Sequence, residues 1–185
     1  MMRPKSYAIL IQNNANTEPL VQRLLQNKAV EGLTELQHLN GLLFSRSEIH
    51  RYMDEEDRHD IKILTKDGDQ PLKTMSSGEQ KKALLNYLLQ QNPDFMVLVN
   101  PFDNLDVATQ VKLREQLLEI AKTKIVVQVV SRLDDILPGT THFFKLDGST
   151  LESYPSPDDF WNNTRITSNP FQDSIPAPLK PIETI

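Results

Sequence analysis

The sequence predicts an α/β fold, a mostly parallel sheet flanked by helices, and three observations predict it. Apolar runs of strand length at 7–11, 95–99 and 125–130 lack the polar alternation of half-exposed strands, so they read as strands covered on both faces. The segments between them carry leucines at helical spacing. Strand and helix alternate along the chain, the pattern of parallel β/α units. With 185 residues, 38% of them hydrophobic and 24% charged, the chain has room for one domain of ordinary size with a real core.

Tyr7-Ala8-Ile9-Leu10-Ile11, bounded by Gln12-Asn13-Asn14, is the first buried strand. Thr17-Glu18-Pro19 opens a helix, with Thr17 as N-cap, proline tolerated in the first turn, and Leu20, Val21, Leu24 and Leu25 as the apolar stripe. Leu42-Leu43-Phe44 is a short strand, and 47–57 a polar helix with Ile49, Tyr52 and Met53 on one face. A helix begins at Ser76-Ser77-Gly78-Glu79 and runs to about residue 91, burying Leu84, Leu85, Leu88 and Leu89 before Asn92-Pro93-Asp94 breaks it. Strand 95–99, loop 100–104, helix 107–122, strand 125–130 and a short helix at 133–137 follow. Residues 143–146 and 151–154 flank Asp147-Gly148-Ser149 as a β-hairpin near the C-terminal end. The expected domain is 1–154. Residues 155–185 hold six of the twelve prolines and read as a tail or interdomain linker, with Phe160 and Trp161 packing its start onto the domain.

Composition removes several function classes. There is no cysteine, which excludes disulfides, Cys-ligated zinc, iron–sulfur clusters and a thiol nucleophile. A net charge of -5 argues against a basic nucleic-acid footprint. No apolar run reaches the roughly 20 residues of a membrane span, and Tyr7 to Ile11 is too short for a signal-peptide core. The expected location is the cytoplasm. The six glycines, at 32, 41, 68, 78, 139 and 148, never lie closer than nine positions. No intact G-x-G-x-x-G or G-x-x-x-x-G-K-[ST] loop is therefore present.

The strongest signal is Met75-Ser76-Ser77-Gly78-Glu79-Gln80-Lys81-Lys82, where Ser76 and Glu79 have capping-box spacing. A well-capped helix alone accounts for that spacing. The order that follows is more specific: helix, Asn92-Pro93-Asp94, strand 95–99, then Asn100-Pro101-Phe102-Asp103-Asn104-Leu105-Asp106. Over residues 74–151 the chain resembles the ATP-binding cassette (ABC) ATPases, and in flavour the soluble tandem-cassette type of the molybdenum-transport-associated and photorepair ATPases. Ser76, Ser77, Gly78 and Glu79 stand where that family has its signature, Val99-Asn100-Pro101 where it has Asp-Glu-Pro, and Leu105-Asp106 at the D-loop.

The resemblance implies a P-loop NTPase-like sheet, a reduced helical subdomain, and a Walker A loop after the first strand. The frame falls on residues 12–19. Gln12, Ala15 and Thr17 stand at glycine positions, and Asn14 matches an asparagine common there. Glu18 stands at the lysine position and Pro19 at that of the magnesium-binding Ser/Thr. Glycine lets such a loop wrap phosphates with backbone N–H groups. A unit-charge pair at ~4 Å is worth about 4 kcal/mol at an effective dielectric of ~20, so Glu18 turns attraction into repulsion. Proline lacks both hydroxyl and N–H. Val99 replaces the Walker B aspartate and Asn100 the glutamate that positions water, and Ser131 stands at the H-loop histidine. Ser47 falls near the Q-loop glutamine.

The expected function is thus a degenerate half-cassette with no autonomous catalytic residue. Its signature and D-loop would complete the ATP and Mg²⁺ site of a second cassette, in cis or in trans. A helix N-terminus bearing Ser76, Ser77 and Gly78 is the physical equipment for that contact. Any link to a membrane permease would run through partners. The alternatives are a catalytically silent interaction module on the same fold, and an unrelated α/β protein. A dense run, His50, Asp54, Glu55, Glu56 and His59, has ligand-like spacings but reads as a solvated helix face rather than a metal site.

Overall fold

A computed structural model describes residues 2–66, 68 and 70–168, with side chains described through Thr164. The strands are β1 (Ser6–Ile11), β2 (Gly41–Phe44), β3 (Phe95–Val99), β4 (Ile125–Val130), β5 (His142–Asp147) and β6 (Thr150–Ser153). The α-helices are α1 (Thr17–Leu25), α2 (Arg46–His59), α3 (Ser77–Gln90), α4 (Val107–Ile120) and α5 (Pro157–Ser168). They form one six-stranded sheet in the order β2-β3-β4-β1-β5-β6, parallel except for β6, which pairs antiparallel with β5.

The apolar runs form strands because both sheet faces are covered. Ile9, Val97, Val127, Val129 and Phe144 face α1 and the segment after it, with Leu20, Val21, Leu24, Leu33 and Leu36 packed on them. Met96, Leu98 and Val126 face the other way, onto Leu84, Leu85 and Leu88 of α3 and Leu113 and Leu117 of α4. One α-helix, α2, stands between β2 and α3 among the described residues, so the helical subdomain is small. The parallel register ends β3, β4 and β1 together, with Val99 beside Val129 and Leu10 beside Val130. Their following loops therefore share one edge of the sheet.

Three local expectations need correction. Asn16, not Thr17, holds the N-cap position of α1, and Thr17 is the first helical residue. Pro19 is then third in the helix, where no intrahelical N–H donor is needed. The helix expected at 133–137 is a single 3-10 turn, Leu133–Asp135. The segment expected as a tail from 155 begins as α5. Ser156 caps it, its Oγ accepting from the Asp159 N–H at 3.2 Å, with Pro157 in the first position. Phe160, as the sequence implies, anchors this segment: it is fully buried and stacks on Phe143 at 4.6 Å between ring centroids. The remainder of the tail, 169–185, lies outside the described residues.

If α5 is part of the domain, Phe160→Ala opens a cavity in the core. Urea denaturation should show a loss of about 3–5 kcal/mol. A loss within experimental error would mean that the helix only rests on the domain.

Candidate functional site

The 76–79 turn folds as its spacing predicts. Ser76 Oγ accepts from the Glu79 N–H at 3.2 Å, and Glu79 Oε1 accepts from the Ser76 N–H at 2.9 Å, a complete capping box. The Ser76 N–H, and after it the Ser76 side chain, hold the exposed Glu79 carboxyl below its usual range. The N–H groups of Ser77 and Gly78, first and second in α3, have no acceptor within a helix. Gly78 has a second role. A Cβ there would lie 3.0 Å from the Thr109 methyl, so its small size lets the first turns of α3 and α4 meet.

The loop after β1 keeps the strand–loop–helix frame, but its backbone is engaged within the protein. The Gln12 N–H donates to the Leu146 carbonyl at 3.0 Å and the Ala15 N–H to the Gln12 carbonyl at 3.0 Å. The Asn16 N–H donates to the Gly148 carbonyl at 2.7 Å, and Gly148 turns the β5–β6 hairpin at φ +58. Ala15, Ile11 and Val99 all pack onto the apolar cluster on the α1 face of the sheet. Asn14, Glu18 and Pro19 are exposed.

Asn100 and Ser131, at the ends of adjacent strands, are joined. Asn100 Oδ1 accepts from the Ser131 N–H at 3.0 Å and from Ser131 Oγ at 3.3 Å. Asn100 takes a left-handed conformation at φ 43, one that asparagine adopts more readily than most residues. Asp106 caps α4, its Oδ1 accepting from the Thr109 N–H at 2.7 Å, which lowers its pKa. Ser47 lies in the first turn of α2, just past β2, its Oγ 2.8 Å from that of the capping Ser45. So the sheet edge gathers loop 12–16 with Asn100 and Ser131, while Gly78 and Thr109 bring the 76–79 turn onto the Asp106 end of α4.

Glu56 of the acidic-histidine run is a structural acceptor. Its carboxylate takes the Thr65 hydroxyl at 2.7 Å and the Leu72 N–H at 2.9 Å, tying the α2–α3 connection down. Among the described residues no group of three or more His, Asp or Glu is placed to hold a metal ion. Sequence reading missed Lys81, which is buried and donates to the carbonyls of Pro101 and Asp103 at 2.7 and 2.5 Å. The signal was available: Lys81 precedes Leu84, Leu85 and Leu88 at spacings of three and four, on the stripe that packs inward.

A strand–loop–helix at a central parallel strand, with a capped turn leading through helix and strand to a Leu-Asp loop, is a cassette-type fold. Comparison with known proteins agrees. The chain is 41% identical over 69 residues to the ABC transporter ATP-binding protein ModF of Escherichia coli (strain K12), covering 37% of this chain and 14% of that protein. It is 26% identical over 90 residues to the fructose import ATP-binding protein FruK of Bifidobacterium longum (strain NCC 2705), covering 48% of this chain and 17% of that protein. A chain of a metal-chelate type ABC transporter in an inward-facing conformation superposes with a TM-score of 0.62 at 13% identity, over 90% of this chain and 80% of its own. No protein-family model matches. In sequence and in fold the chain is similar to ABC ATPases, and it aligns with under a fifth of the length of either curated relative. No helix among the described residues is long and apolar enough to cross a membrane.

The capping box has a pH signature. Glu79 has a folded pKa below its unfolded value, so its contribution is complete above the unfolded value, near 4.5, and is lost as pH falls through the lowered one. Acid titration should show wild type and Glu79→Gln converging in stability below that window and diverging above it. Ser76→Ala should cost about 1 kcal/mol at neutral pH.

Proposed function

We propose that this chain is a half-cassette that lends its 76–79 turn and Asp106 loop to the ATP site of a partner cassette, while its own loop neither holds nor hydrolyses ATP. The observation that carries this reading is the contrast between the two sites. At 12–19, where the family holds phosphate and Mg²⁺, the Ala15 and Asn16 N–H groups are bonded to carbonyls, Val99 packs into an apolar cluster, and Glu18 is an exposed acid. Those groups do not fit a phosphate or a hydrated cation, so they support no catalytic step there. At Asn100 the amide cannot accept a proton from water, and it is bonded to Ser131.

The turn at 76–79 has the opposite character. The N–H groups of Ser77 and Gly78 point from a helix N-terminus, whose dipole favours an anion. The Ser77 hydroxyl adds a donor. ATP on a partner would supply the γ-phosphate, and this chain would contribute only neutral donors to the charge that develops there. By family resemblance the partner is a second cassette, in cis or in trans, working in the cytoplasm, and any permease contact belongs to the assembly.

One observation favours the silent interaction module. Gly78 is small because Thr109 abuts it, which a fold without nucleotide chemistry also needs. Gly78→Ala therefore cannot separate the two readings, whereas Ser77→Ala can. Equilibrium dialysis with ATP should show the isolated chain at least tenfold weaker than an intact cassette. With its partner cassette present, Ser77→Ala should lower kcat for ATP hydrolysis about tenfold with little change in KM. An unchanged kcat would leave the silent module.

A further inference from the structure

We propose that Lys81 is a positioning residue that couples the 76–79 turn to the 99–106 segment, so that Ser76, Ser77 and Asp106 are set and move as one unit. The consequence for activity rests on the composite-site reading above; the coupling itself does not.

Lys81 is 7% exposed, yet among the described residues its ammonium meets no carboxylate in a salt bridge. Its hydrogen bonds go to two backbone carbonyls, Pro101 and Asp103, in the turn that leaves β3. That turn is conformationally demanding. Asn100 and Asn104 are both left-handed, at φ 43 and 61, and the Asp103 N–H closes back on the Asn100 carbonyl at 3.2 Å. A turn this tight leaves the buried Pro101 carbonyl without a ladder partner, and a buried carbonyl needs a donor. Lys81 reaches it from α3.

Gly78 lies one helical turn earlier on α3 and seats the first turn of α4 through Thr109. Lys81 therefore grips the start of the segment 101–109 and Gly78 its end. Asp106 lies between them, and its carboxylate caps α4 on the same Thr109. Two contacts three residues apart on a rigid helix fix both the distance and the angle between the turn and the loop.

The burial has a cost. It pushes the ammonium down to about 8, with Asp103 and Asp135 opposing that shift and Arg46 of α2 adding to it. An apolar side chain would avoid the cost, but it could not bond both carbonyls.

The test compares Lys81→Met with wild type in the full chain by amide hydrogen exchange. The reporters are the bonded amides of Glu79, Gln80, Asp103 and Thr109. Coupling predicts that all four exchange at least tenfold faster in the variant, while amides of β1 and β5 keep their wild-type rates. Unchanged reporters, or acceleration spread evenly over the sheet, would overturn the proposal, the latter because Lys81 would then be an ordinary core residue. Lys81→Gln serves if the methionine variant does not fold, and Lys82→Met, on the exposed side, is the control. A second readout is the pH profile. Because the folded pKa lies below the unfolded one, the wild type gains stability as pH rises from about 8 toward 10.5, and Lys81→Met abolishes that rise. With the partner cassette and MgATP, Lys81→Met should lower kcat with KM within twofold. If Ser77→Ala leaves kcat untouched while the four amides still loosen together, the composite site fails and the coupling stands.

Discussion

The parallel pairing of β1 with β4 on one side and β5 on the other is the constraint on which the rest of the molecule depends. A strand in that position is buried on both faces, so its residues must be apolar in an unbroken run, and its hydrogen bonds must all go to neighbours. Parallel neighbours cannot be joined by tight turns. Each connection has to cross a face of the sheet, usually by a helix. The same geometry that fills both faces with helices therefore brings the loops after β1, β3 and β4 to one edge. Among the described strands only β6, joined to β5 by a tight hairpin, escapes the rule, and that hairpin turns back over the edge to bond loop 12–16.

Loops that share an edge can still differ in chemistry. The segment after β1 has turned inward: its N–H groups meet carbonyls of β5 and of the hairpin, and its small apolar residues join the cluster below. The capped end of α3 leaves its first two N–H groups without helical acceptors, because an N-terminus cannot satisfy its own donors. On the reading proposed here, that asymmetry is the function. One end of the fold has become a closed structural corner, and the other has remained available to an anion brought by another protein.

The loops are held to each other by polar contacts that are few and specific. Asn100 links β3 to β4 through Ser131, and Lys81 links α3 to the turn after β3. Both sit where a substitution leaves a buried or half-buried polar group unpaired, which costs more than the bond itself contributes.

The residues themselves determined the α/β class, the strands, the capping box and the cassette order of turn, strand and loop. Each rests on local chemistry: apolar runs of strand length, leucines three and four apart, a serine three residues before a glutamate. The start of α5 was equally local, a Ser156-Pro157 pair before two aspartates, and was obscured only by the prolines that follow. Tertiary structure alone decided which donors are free. That Gln12 and Asn16 lose their N–H groups to carbonyls far along the chain, that Gly78 is small for the sake of Thr109, and that Lys81 points inward rather than to solvent all depend on what packs against them. Spacing can put a lysine on a buried stripe, but it cannot say which carbonyls will be waiting there, because those partners lie about twenty residues away in sequence and are brought near only by the crossover through β3.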